Sequence, residues 1–239
     1  MIDGIYLAAS GLDAYTKKQE VIASNLANTN TAGFKKYMAD FSIKTEVVDG
    51  VESEGVHAGV SVDFTKGDLT YTGNSLDISI DGDGFFTIET EQGLRYTRNG
   101  QFQLSGNGEI VTSDGGKVLG QNGPLIIPKG KSSITVDGTG RIKVDSSAIG
   151  EFLINNFADT SALVPTGSSL YKATDEAVLD TDNLNFEIEQ GYLEKSNVNV
   201  VMEMVGMIEN MRSYQLSNYI IKNFSDTLQN LISSQSNVT

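Results

Sequence analysis

Two long stretches with apolar residues at alternating steps of four and three bracket this chain, and they constrain its fold more than anything between them. Toward the C-terminus the run is Val200, Met204, Met207, Met211, Tyr214, Ile221, Leu228 and Ile232, with Asn218 and Ser225 in the two polar slots. Near the N-terminus Ile5, Ala8, Leu12, Tyr15, Ile22 and Leu26 share one stripe that only Gln19 interrupts. A stripe of this period is the face of a helix that seeks a partner helix. The two ends are therefore expected to be long helices that pair with each other as a coiled coil.

Local signals agree. Ile2 to Leu26 contains no proline, and Asp3 is placed to cap its start. The helix should end in Asn28-Thr29-Asn30-Thr31-Ala32-Gly33-Phe34, where polar side chains compete for the backbone and Gly33 can take the left-handed conformation. At the other end Ser196, Asn197 or Asn199 can cap the final helix, and Glu203 in its first turns suits the helix dipole. All three prolines, Pro124, Pro128 and Pro165, lie between the two helices.

The middle changes period. Val60, Val62 and Phe64 alternate with polar residues, as do Leu76, Ile78 and Ile80. Asp81-Gly82, Asn99-Gly100, Asn107-Gly108, Asp114-Gly115 and Asp137-Gly138 then punctuate a series of short β-prone runs with tight-turn dipeptides. The expected fold class is α+β: long N- and C-terminal helices with an inserted antiparallel all-β domain of short hairpins. The expected boundaries are an N-terminal helix with its signature at 1–34, an extended connector at 35–60, the β domain at 61–190 and the C-terminal helix at 191–239.

Charge separates the same regions. Residues 1–40 carry four basic and four acidic side chains and 196–239 carry two and three, which leaves 11 basic and 24 acidic in between. Near-neutral ends with apolar stripes suit packing against copies or relatives, while an acidic middle argues against nucleic acid or an anionic membrane as partner. Further apolar residues, Val201, Val205, Ile208, Leu216, Ile220 and Phe224, form a second ridge on the last helix, which implies more than one neighbour. The expectation is that these ends order fully only when several copies meet.

Chemistry finds little purchase. There is no cysteine, which excludes disulfides and thiolate chemistry. Asp77 as the first position of a calcium loop would require glutamate where Ile88 stands, and Gly130-Lys131-Ser132 would require a phosphate-loop glycine where Leu125 stands. The single histidine, His57, falls in the expected connector, and no Gly-x-Ser-x-Gly occurs. The methionines Met202, Met204, Met207 and Met211 are spaced for packing against helices. No catalytic residue, metal ligand or cofactor is assigned, and an enzyme is not expected. The start Met1-Ile2-Asp3-Gly4 lacks the basic and apolar regions of a signal peptide, so any export is expected to proceed without signal cleavage, and no run approaches the ~20 apolar residues of a membrane span.

Ala23-Ser24-Asn25-Leu26-Ala27-Asn28-Thr29-Asn30-Thr31-Ala32-Gly33-Phe34 resembles the signature of bacterial flagellar rod and hook proteins, and Ser196-Asn197-Val198-Asn199-Val200 with Glu203-Met204 resembles their C-terminal one. Gly73-Asn74-Ser75-Leu76-Asp77, Gly82-Asp83-Gly84-Phe85-Phe86 and Tyr96-Thr97-Arg98-Asn99-Gly100 look like the middle domain of the FlgF and FlgG rod branch. Ala32 and Lys195 depart from the usual residues without removing a seam position. The short chain and Val118-Leu119-Gly120-Gln121-Asn122-Gly123-Pro124-Leu125 look more like the proximal-rod members, while Ser196 to Val201 and Ile208-Glu209 also resemble the distal-rod members.

The resemblance implies a structural subunit, exported by the flagellar type III apparatus, that polymerises in the periplasm into the torque-transmitting shaft. Its implied partners are copies of itself, other rod proteins, the export apparatus and surrounding ring proteins. The residues expected at the assembly interface are Ile5, Leu12, Tyr15, Ile22, Asn25, Leu26, Asn28, Gly33, Phe34, Asn197, Val200, Met204, Met207, Met211, Tyr214, Ile221 and Leu228. The competing classes are a β-rich secreted enzyme and an adhesin on a coiled-coil stalk.

Overall fold

The computed structural model describes residues 2–48, 51–128, 133–145, 147–180 and 185–236; side chains are described from Leu7 onward, excluding 46–53, 228 and 230–236. By contact the chain divides into two units.

The first unit comprises Met1–Ala27, Tyr37–Asp63 and Val198–Thr239. Its two helices are α1 (Ile2–Ala27) and α2 (Val200–Ser236). Their 26 and 37 residues correspond to about 39 and 56 Å at the usual helical rise. Asp3, expected as the cap of the first helix, lies inside it, because the helix already begins at Ile2. Asn199 caps α2: its side-chain oxygen accepts from the Met202 amide at 3.1 Å and its carbonyl from the Glu203 amide at 3.0 Å. The helices pack against each other with antiparallel register, since Asn25 reaches Glu203 while Tyr15 and Gln19 reach Asn210.

Residues 35–60, expected as an extended connector, are extended but paired. Strand β1 (Lys36–Val48) and strand β2 (Val51–Asp63) form a two-stranded sheet, and β2 also packs on α1, where the Val56 amide donates to Ser10 Oγ at 2.9 Å. The period of two is present in the sequence. Tyr37, Ala39, Phe41 and Ile43 alternate with Met38, Asp40 and Ser42, and Val56, Ala58, Val60 and Val62 alternate with His57, Gly59 and Ser61. Polar composition hid it. His57 accordingly sits within a strand and not in a loop.

The second unit, Asn28–Lys36 and Phe64–Asn197, is the antiparallel β domain. Its largest sheet runs in the order 163–167, 170–173, 93–97, 85–90, 117–120, 110–111, 103–104, with 123–124 and 154–155 attached to its inner strands. A three-stranded sheet holds 134–136, 141–144 and 147–151, while Ile78–Gly82 pairs with Phe186–Gln190 and Leu69–Tyr71 with Tyr192–Glu194. One apolar cluster joins the first three of these sheets, including Ile80, Phe86, Ile88, Phe102, Val118, Ile142, Val144, Phe152 and Ile188. Phe86 sits edge-on to Phe102 and Phe152 with ring centroids 5.1 and 5.5 Å away. The strand alternation that predicted this domain ended at 190; the unit also takes in 28–36 and 191–197, because the Tyr192–Glu194 strand returns to pair with Leu69–Tyr71.

Candidate assembly surface

In the helical unit, the stripe of α2 that meets α1 is mostly not the apolar one. Glu203 and Asn210 are buried, and Gly206, Met207, Ser213, Ser217 and Ile221 are half-buried along the same side. The most buried positions, Glu203 and Asn210, lie one residue, about 100° around the helix, from Met204 and Met211 of the expected seam, while Met207 and Ile221 of that seam stay on the α1 side. Val200, Met204, Met211 and Tyr214 are exposed, Met204 and Met211 by 52% and 50%. Val201, Met202, Val205, Ile208, Leu216, Tyr219, Ile220 and Phe224 are exposed beside them. Of the expected seam, Met207 and Ile221 are half-buried, while Val200, Met204, Met211 and Tyr214 are not covered by this pair. Apolar periodicity identifies a face that gains from burial, without saying which element covers it.

On α1, Ile22 is buried and Leu12, Tyr15 and Leu26 are half-buried, with Ala14 and Val21 buried beside them. The side chains of Ile5 and Leu228 lie outside the described residues, as does Gly130-Lys131-Ser132. Polar partners set the contact. Asn25, 1% exposed, exchanges two hydrogen bonds with the backbone of Tyr37: its Oδ1 accepts from the Tyr37 amide at 2.8 Å and its Nδ2 donates to the Tyr37 carbonyl at 2.9 Å. The same Nδ2 lies 3.2 Å from Glu203 Oε2. Asn210 Nδ2 donates to the Tyr15 carbonyl and to Gln19 Oε1, both at 2.9 Å. Gln19, the interruption in the N-terminal stripe, is thus a partner in the seam.

In the β unit the signature residues fold around one carboxylate. Asn28 accepts from the Thr31 amide and hydroxyl, and Gly33, at φ +64°, donates its N–H to the Glu194 carbonyl at 2.8 Å. A Cβ on residue 33 would overlap the Asn99 amide, so only glycine fits there. Phe34 is buried beside it in sequence. Lys35 Nζ meets Glu194 Oε1 at 2.6 Å and donates to the Thr65 carbonyl at 2.7 Å, while the Gly67 amide donates to the same carboxylate oxygen at 2.9 Å. Arg98 stands 3.7 Å from Glu194 Oε2 and donates to the carbonyls of Ile80 and Gly82. Burial draws the Arg98 pKa below its ordinary value, opposed by the charges of Glu194 and Asp83. Asn197 Oδ1 accepts from the Lys36 amide at 2.7 Å and its Nδ2 donates to Thr65.

Sequence reasoning missed Lys35, Arg98, Glu194 and Asn210. Their signal was weak, since each is a single polar residue whose partner lies far away in sequence. For Asn210 a spacing of one heptad from Glu203 was available.

This arrangement can hold and position a backbone, and nothing in it resembles a reaction centre. Among the described residues no group of three or more histidine, aspartate and glutamate side chains could hold a metal, and no helix is long and apolar enough to cross a membrane.

Comparison with known proteins identifies the framework. The profile described as "Flagella basal body rod protein" matches residues 5–35, "Flagellar hook protein FlgE/F/G D1 domain" matches 79–144, and "Flagellar basal body rod FlgEFG protein C-terminal" matches 189–234. The chain is 33% identical to the basal-body rod protein FlgG of Agrobacterium fabrum across 95% of its own length and 97% of that relative. It is 31% identical to FlgG of Bacillus subtilis, with 97% and 98% covered, and 30% identical to FlgF of Caulobacter vibrioides, with 90% of each covered. With signatures at both ends and relatives matched over nearly their whole length, this chain belongs to the flagellar basal-body rod proteins of the FlgF/FlgG branch, structural subunits and not enzymes.

Proposed function

We propose that the chain is a FlgF-like proximal-rod subunit that polymerises through its terminal helices into the torque-transmitting shaft. The observation that carries the assembly reading is the inverted dressing of α2. Apart from Met207 and Ile221, the α1-facing side of α2 carries small and polar residues, while apolar residues from Val201 to Phe224 stand exposed along more than five turns. An exposed apolar surface of that extent gains free energy when neighbouring copies cover it. Many such contacts repeated in helical symmetry produce a stiff shaft.

Chain length supports the FlgF-like assignment. Alignments to the FlgG proteins of Agrobacterium fabrum and Bacillus subtilis extend over 258 and 263 positions, more than the 239 residues present, so those proteins carry insertions that this chain lacks. Alignments to two FlgF proteins extend over 224 and 222. The FlgG-like, distal-rod reading is favoured by the slightly higher identity and coverage of the FlgG relatives.

On this proposal the subunit crosses the inner membrane through the flagellar type III apparatus without signal cleavage and assembles in the periplasm with copies of itself, other rod proteins and surrounding ring proteins. The test is a deletion strain complemented with the full chain or with residues 28–197, followed by electron microscopy of basal bodies. Loss of the rod that only the full chain restores, with a tagged copy decorating the cell-proximal segment, is the expected result. Decoration of the distal segment would assign the FlgG-like role. Intact rods in the deletion strain would end the structural reading.

A further inference from the structure

Glu203 and Asn210 stand one heptad apart on α2, 6% and 3% exposed, and each meets an amide-bearing side chain of α1, Asn25 and Gln19 respectively. Between them Gly206 faces Ile22, where an added Cβ would lie 3.8 Å from Ile22 Cδ1. The seam is therefore two polar layers around one apolar layer. Asn210 gains less than it could from this position, because its Oδ1 is buried without a hydrogen-bond donor. A leucine there would suit an apolar seam better. A buried amide that costs stability in a helix pair is best attested as a means of specifying register.

We infer that Asn210, with Gln19 as its partner and the Asn25–Glu203 contact as a second layer, sets the register of α1 against α2. The alternatives are visible from the spacing. A slip of seven residues one way would set Asn210 against Ala8 and Leu12, where no side chain can accept its Nδ2 hydrogens, and would leave Asn25 opposite residue 196, before α2 begins. A slip the other way carries Glu203 past Ala27, where α1 ends. Of these three registers, only the observed one gives both layers a side-chain partner on α1. The consequence rests on the assembly reading: a slip of one heptad moves the outward apolar face of α2 by about 10 Å relative to α1. A register lock gives every subunit the same face to present.

The chain has no cysteine, so engineered pairs report register directly. In the full-length, unassembled protein, Ile22→Cys with Gly206→Cys reads the observed register, and Tyr15→Cys with Gly206→Cys reads the slip of seven. Intrachain cross-links are mapped by mass spectrometry after mild oxidation. With Asn210 present, the first pair forms and the second stays at background. With Asn210→Leu, the slipped pair should rise roughly tenfold, as expected when a penalty for an unsatisfied buried amide is removed, while helical circular dichroism is retained. Asn210→Gln, which keeps the amide, should return the slipped pair toward background. Native-only cross-linking in Asn210→Leu would overturn the inference, and so would loss of both cross-links, which would make Asn210 a residue that holds the helices together without choosing their register. Because the measurement is made before any polymer forms, its outcome is independent of whether the assembly reading stands.

Discussion

Lys35 and Glu194 form a 2.6 Å ion pair in which both side chains are 1% exposed, although 159 residues separate them in the chain. The pair has further partners: Lys35 also donates to the Thr65 carbonyl, Glu194 Oε1 also accepts from the Gly67 amide, and the Arg98 guanidinium stands 3.7 Å from Oε2, close enough for charge attraction but not for a hydrogen bond. Breaking it from one side leaves a buried charge without its counterpart. Glu194→Gln should destabilise the β unit by about 3–5 kcal/mol, and Lys35→Met by a similar amount. Urea denaturation of the full chain followed by tyrosine fluorescence checks this. A loss under 1 kcal/mol would mean that water reaches the site.

Gly33 offers a sharper steric test. Its φ of +64° and the Asn99 backbone packed against it leave no place for a Cβ. Gly33→Ala should cost about 2–4 kcal/mol, from the left-handed backbone and the overlap together. The readout is the denaturation midpoint of the β unit, and an unchanged midpoint would show that the Asn28–Phe34 turn relaxes freely.

The two faces of α2 separate folding from assembly. Met204→Asp changes an exposed residue and should leave the melting temperature of the unassembled protein nearly unchanged, within about 0.5 kcal/mol, while it abolishes polymerisation and motility. Ile22→Asp buries an unpaired carboxylate beneath α2 and should unfold the helix pair instead. Leu26 and Met207 are half-buried, so acidic substitutions there would mix the two effects. A motile strain carrying both Met204→Asp and Met211→Asp would remove the outward face from the mechanism.

In the β unit, Asp137 is held below the ordinary carboxylate pKa, chiefly by the Thr139 hydroxyl at 2.6 Å, with partial burial opposing and the Arg141 and Thr139 amides assisting. A depressed folded-state pKa contributes stability that is present above the unfolded value and is lost as pH falls through the folded one. Thr139→Val should move the Asp137 titration upward toward the ordinary range. A carbon-detected NMR titration of the carboxyl resonances reads the shift, and no movement would place the cause elsewhere in the turn.

Much of this architecture was legible in the sequence, because the signals for it are local. The spacing of Leu12, Tyr15, Ile22 and Leu26, and of Met204, Met207, Met211 and Tyr214, is a statement about successive turns of one helix. Asn107-Gly108 and Asp114-Gly115 mark turns in which the glycine takes a positive φ, +86° and +85°, that it adopts more readily than other residues. The flagellar signatures from Ala23 to Phe34 and from Ser196 to Met204 are contiguous strings. None of these requires knowing what lies across the fold.

Tertiary structure alone decided which side of each element found a partner. The apolar stripe of α2 named a face in search of burial, yet α1 took the adjacent face through Glu203, Gly206 and Asn210, because Asn25, Gln19 and Ile22 were shaped to meet those residues. The stretch 36–63 paired into a sheet because its two halves lie beside each other and one of them rests on α1, a contact that its polar composition concealed. Lys35 found Glu194 for the same reason. A buried charge is stable only beside a specific partner, and that partner is fixed by how distant segments pack, which no local pattern records.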